Sequence, residues 1–172
     1  MALAKPLQPV LRFMKSPRGT RVDVPIVRYT GRSLLGTLLA RDMGRTPHRG
    51  GRAGAESGPM TLTTIGHRTG RLHTIAISYR RTPDGAIAII GSAGGAPRDP
   101  HWVRNLRSNP AAWVTIGRRR IPVHATVLQG EEKQPLWELI TTAAPIFAEY
   151  QVKAGRDIPV VVLRRYDGQP VT

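Results

Sequence analysis

Side chains that can hold an anion crowd into one short stretch of this sequence: His67, Arg68, Thr69, Arg71 and His73, with Gly66 and Gly70 enclosing the first three. Guanidinium and imidazole nitrogens, a hydroxyl and free backbone N–H groups together suit a phosphate or a carboxylate. The flanking glycines let the main chain approach a ligand closely. A turn that only reversed the chain would be served by Asn-Gly or Asp-Gly. A solvated tip, arginine-rich because the whole chain is, accounts for the same letters, and the residues alone leave both readings open.

A second stretch, Ser92-Ala93-Gly94-Gly95-Ala96, offers bare backbone, and Trp102, Phe147 and Tyr150 supply aromatic surface further along. Other chemistries find little support. There is no cysteine, hence no disulfide framework, thiol nucleophile or cysteine-based zinc site. No Ser-His-Asp, HExxH or Walker pattern occurs, and the 11 acidic residues are too scattered to nominate a carboxylate pair or a hard-metal site. His67, His73, His101 and His124 lack a metal spacing, so each reads as a polar contact or surface residue and no metal is expected. This inventory suits a protein that holds a cofactor which performs the chemistry itself.

The elements that must position these groups follow from periodicity. Thr61–Tyr79 alternates at both ends and turns at 66–70, which predicts a hairpin carrying the cationic tip. Ala86–Ser92 reads as a central strand after the Pro83-Asp84-Gly85 turn. Asp99 and Pro100 read as the cap and first residue of a helix through His101, Trp102, Asn105 and Leu106, ended by Asn109-Pro110. Ala112–Ile116 and Ile121–Leu128 form a second hairpin around residues 117–120. Glu131 and Glu132 open a helix past Trp137 and Leu139, a further helix after Pro145 carries Phe147 and Tyr150, and Ile158–Leu163 is a last strand buried on both faces. Antiparallel strands with inserted helices predict an α+β fold built on a small barrel or curled sheet.

At 172 residues and 40% hydrophobic composition the chain can bury a core without staples. The net charge of +15 is uneven: residues 1–58 and 59–128 each carry +8, whereas 129–172 carry −1. A polyanion would be drawn to the front and middle of the molecule. Residues 3–15 and 26–43 are basic, amphipathic helical candidates for core packing or peripheral membrane contact, and Gly44–Gly58 reads as a basic loop. No apolar run approaches a membrane span. The N-terminus lacks the form of a secretory signal, so a cytoplasmic location is expected, with residues 1–43 as the membrane-associating candidate.

Three ordered blocks resemble the deazaflavin-dependent nitroreductase family within the split β-barrel flavin and deazaflavin oxidoreductases. TLTTIGHRTGRLHTIAISY resembles its LLTTxGRKTGxxRxxPL, IIGSAGGAPRDPHWVRNLRSNP its VASxGGxxxxPxWYLNLxANP, and AEYQVKAGRDIPVVVLRR its YQxxTxRxIPVVVL. The resemblance implies a split barrel of about six strands over 59–172 with flanking helices; residues 1–58, which it constrains little, are expected from their own pattern to be a basic N-terminal helical extension and mobile loop. It implies coenzyme F(420), an anionic deazaflavin, whose reduced form passes a hydride to a quinone, enone or nitroaromatic. His67, Arg68, Thr69 and His73 match positions that hold the phosphate and tail, and Arg71 joins them on charge grounds. Ile75 and Ala76 would flank the ring system, Ser92, Ala93, Gly94, Gly95 and Ala96 would form the backbone cradle, and Asn105 would support it. Trp102, Ala144 and Phe147 are the implied substrate-pocket residues, and Tyr150 the catalytic one, giving the proton unless water does. The chain departs from the family at His67-Arg68, at His73, at Ala93 and in its loss of tyrosines at 144 and 147. FMN is the alternative cofactor, and a basic nucleic-acid or membrane-surface protein the alternative class. The expected partner is an electrophilic small molecule, with no specific nucleic acid, on a monomer or homodimer.

Overall fold

The computed structural model of the protein describes residues 56–171 together with Val24 and Pro25. The helical extension expected over 1–58, and the membrane contact expected of 1–43, thus fall outside the described residues, save for helical Val24 and Pro25 and the last three of the extension. Of those three, Ser57 and Gly58 already belong to the first strand.

Six strands, all antiparallel, close into a barrel in the order β1-β2-β3-β6-β5-β4, with β4 returning to β1. They are β1 (Ser57–Ile65), β2 (Leu72–Arg81), β3 (Ile87–Ile90), β4 (Ala111–Ile116), β5 (Arg119–Leu128) and β6 (Val160–Arg165). Helix α1 (His101–Ser108) enters before β4; a 3-10 turn (Gly130–Lys133), α2 (Gln134–Ala143) and α3 (Ile146–Ala154) fill the β5–β6 connection. The expected six-stranded α+β barrel is therefore observed.

Alternation decides which side chains enter the barrel. Met60 and Leu62 from β1, Val114 from β4, Val123 from β5 and Val161 and Leu163 from β6 meet inside with Ile87 and Ile89. Each such burial stabilises by about 1.5–3 kcal/mol. The outer face of β3 and β6 is covered as well. Ala88 and Val160 pack there with Ile140, flanked by Leu136, Trp137 and Phe147, which is why the apolar run of β6 is buried on both faces.

Register assigns the connections to two ends. Thr64 pairs with His73 and with Ala112, Leu128 pairs with Val160, and Ile90 pairs with Val160. The β1–β2 turn, the loop after β3, the lead from α1 into β4 and the helical β5–β6 connection thus emerge at one end. Arg118 to Arg120, the β2–β3 turn and the tail after Arg165 lie at the other. Among the described residues β2 pairs with β3 only at Arg80 and Arg81, so its Leu72–Tyr79 portion is laddered on the β1 side alone. The barrel is split there, beside the glycine loop.

Four local expectations are corrected. Asp99 does not cap α1: Pro100 holds the cap position without a side-chain bond, and Asp99 instead accepts from Arg107 and Arg156. The helix expected from Glu131 begins as the 3-10 turn and becomes α-helical at Gln134, because Pro135 suits a helix's first turn. β3 is shorter than expected, and β6 starts two residues later and runs to Arg165.

Candidate cofactor site at the split end of the barrel

The hairpin tip is held from inside and from outside. Within it, Gly66 donates to Arg71 O at 2.8 Å and Gly70 to Gly66 O at 2.8 Å, with Gly70 at φ 65°. From outside, Asn105 of α1 reaches in: its Oδ1 accepts from His67 N at 3.1 Å and from His67 Nδ1 at 2.9 Å, while its Nδ2 donates to Thr64 Oγ1 at 2.9 Å. One buried amide therefore fixes the end of β1 and the first residue of the tip. A Cβ on Gly66 would stand 2.7 Å from His73 Nε2 and 2.8 Å from Thr69 Oγ1, so the imidazole and hydroxyl close over that glycine.

The register puts His73, Ile75 and Ile77 on the interior side of β2, opposite inward-facing Thr64, Leu62 and Met60, whereas Ala76 faces outward. Ile75 and Ala76, both expected to flank a ring system, lie on opposite faces of the strand. Arg68 and Arg71 are exposed and have no carboxylate partner among the described residues.

Two neighbours on α1, His101 and Arg104, carry no sequence signal for a site role yet lie beside the tip. Arg104 Nη2 donates to His101 Nδ1 at 2.9 Å, which requires that nitrogen to be unprotonated. The His101 pKa is lowered by burial first, then by Arg104, His67, His73 and Arg68. The side chains acting on His101 are all basic, so the tip and the start of α1 form one basic cluster, in which neither Arg68 nor Arg104 has a carboxylate partner among the described residues. In the family pattern quoted above, Arg104 stands where leucine is usual.

The glycine loop has its own bracing. Ala93, Gly94 and Gly95 are left-handed in succession, at φ 47°, 68° and 77°, and Gly95 N donates to Ser92 O at 2.9 Å. Ala93 is the one non-glycine residue with positive φ among those described. The stem of Lys153 lies where a Gly95 Cβ would be, 2.9 Å from its Cδ, and Lys153 Nζ donates to Gly94 O at 3.3 Å. Arg156 donates to Gly91 O and Ala96 O. Neither cation was singled out in the sequence, although Arg156 is the arginine of the third quoted block.

Trp102, whose aromatic side chain suits either a substrate pocket or simple core packing, is packed into the main core with Val103 and Leu106 and docks α1. Phe147 packs against the second core and meets Tyr150 edge-on at 6.0 Å. Ala144 is half-buried where α2 ends. Burial, then the charge of Glu149, raises the Tyr150 pKa, so the phenol stays protonated through neutral pH. At the far end a cleft of about 200 Å³ between Asp84 and Arg164 holds none of these residues.

A six-stranded antiparallel barrel, split beside a cationic hairpin and a glycine cradle, defines the split-barrel flavin and deazaflavin reductase class. Residues 43–165 match the sequence profile of the family described as F420H(2)-dependent quinone reductase, and the chain belongs to that family. It is 33% identical over 141 residues to the F420H(2)-dependent quinone reductase Rv1261c of Mycobacterium tuberculosis, covering 80% of this chain and 94% of the relative. Among solved structures it resembles one titled "Structure of F420-H2 Dependent Reductase (FDR-A)", at 34% identity and TM-score 0.53 over 62% of this chain and 93% of the other. A second, titled "domain-swapped dimer", matches at 34% identity and TM-score 0.53, over 62% of this chain and 79% of that one.

Proposed function

We propose that this chain binds reduced coenzyme F(420) across the split end of the barrel and reduces a quinone. The observation that carries the reading is the cluster of basic side chains His67, Arg68, His73, His101 and Arg104, beside a cradle of bare left-handed backbone. When bound, the deazaflavin supplies a hydride to an electrophilic acceptor. The chain's part is to bind, orient and shield.

Arg68, Thr69, Arg71, His67 and His73 would take the phosphate and tail, with Asn105 holding the tip in place behind them. The Gly94–Gly95 backbone would offer a flat ring a face bare of side chains, while the Lys153 stem fills the place a Gly95 side chain would take. Ile75, on the interior side of β2, offers an apolar contact, and the outward Ala76 offers its main chain. Tyr150, kept protonated by its surroundings, is the candidate donor of the proton that completes reduction, with Phe147 as the adjoining wall.

Fluorescence titration of the purified protein with oxidised F(420) tests this. Saturable binding at low salt, weakened by Arg68→Ala with Thr69→Ala, is expected. Absence of binding, or a yellow protein retaining FMN, would overturn it.

A further inference from the structure

The guanidinium of Arg156 is the least exposed cation near the cradle, its side chain 15% accessible. Nη2 donates to Gly91 O at 2.8 Å, Nε to Ala96 O at 3.0 Å and Nη1 to Asp99 Oδ1 at 2.5 Å. Gly91 and Ala96 are the two feet of the glycine loop. Asp99 lies in the lead to α1 and is also gripped by Arg107, at 2.5 Å, from the far end of that helix. Arg156 thus ties both feet of the loop to α1, the helix that pins the hairpin tip.

A segment with three successive left-handed residues and two adjacent glycines has much backbone freedom to lose, and one turn bond does not hold it. A planar fork can serve three acceptors in fixed directions, which a lysine ammonium on a flexible stem cannot reproduce.

These bonds are not needed to join α3 to β6. Lys133 donates to Ile158 O at 2.8 Å and to Asp157, Gln151 Oε1 accepts from Ile158 N at 3.0 Å, and Asp157 Oδ2 accepts from Gly130 N at 2.9 Å. The junction is fastened without Arg156, whose side chain turns toward the loop. Lys153, three residues earlier in the last turn of α3, adds a weaker strap at Gly94.

We propose that Arg156 is a positioning residue that sets the shape of the glycine cradle for the cofactor's ring system. The inference rests on the deazaflavin reading above. Its test separates ring binding from tail binding with two probes: coenzyme F(420), and the deazaflavin chromophore lacking phosphate and tail. Arg156→Lys is expected to weaken both by about tenfold or more, while Arg68→Ala weakens only the full cofactor. Without any ligand, amide exchange at Gly94 and Gly95 should quicken in Arg156→Lys while the hairpin tip keeps its protection.

If Arg156→Lys binds both probes as the parent does and Arg68→Ala still loses the full cofactor, the positioning role is overturned and the deazaflavin reading stands. If the parent binds neither probe, both fall. Should Arg156→Lys not fold, Asp99→Asn decides. The same pattern in smaller degree upholds the proposal, and unchanged binding of both probes overturns it.

Discussion

Asn105 shows how one side chain can set the shape of a candidate binding surface from behind. Its amide serves Thr64 and both His67 groups, so Asn105→Ala strands a buried hydroxyl and loosens the tip. A loss of about 1–3 kcal/mol is expected in denaturant melts, together with weaker cofactor binding. His101 carries a sign that can be measured. Its pKa is lowered by burial and by its basic neighbours, Arg104 first, so in the free protein it resists protonation. That folded-state value lies below the unfolded one, so stability falls as pH drops below about 6.5, and His101→Gln should flatten the slope. An anion seated beside those cations removes the repulsion and lets the ring protonate. Calorimetry in buffers of different ionisation enthalpy should therefore show proton uptake on binding near pH 6, reduced in His101→Gln. Tyr150→Phe should lower quinone turnover by about 10²-fold or more with cofactor affinity unchanged; equal turnover would assign the proton to water.

At the scale of the element, the hairpin and the loop fail in different ways. A methyl on Gly66 meets the far ends of two side chains, His73 and Thr69, which can swing aside. Gly66→Ala should melt close to the parent yet bind cofactor poorly, because the displaced groups are the proposed ligands. Ala93→Gly should have the opposite character. It removes a left-handed cost of about 1–2 kcal/mol against an entropy cost of about 0.5–1 kcal/mol, so a slightly raised melting temperature with the cradle intact is expected. The hairpin was legible because its alternation and its glycines are local signals. The misread start of α1 was not: Asp-Pro before a helix is a good cap signal, but tertiary ion pairs with Arg107 and Arg156 claimed the carboxylate first.

For the molecule as a whole, charge is divided between two ends with different consequences. Cofactor affinity should fall steeply with added salt, since the tip cations are exposed and screened. Arg118→Ala with Arg119→Ala, at the opposite end, should shorten retention on a polyanion column and leave cofactor affinity alone. Arg120 is better spared, because it lies over the Trp113 ring at 4.9 Å and contributes packing.

The sequence by itself determined the alternation that closes the sheet, the cationic tip, the glycine cradle and, through three ordered blocks, the family, because those features are carried by neighbours in the chain. Only the tertiary structure decided that α1 supplies His101 and Arg104 to the cationic cluster, that Trp102 serves the core, and that Arg156 braces a loop some sixty residues away. Barrel closure brings those groups together, and a partner distant in sequence leaves no periodic trace on the residues between.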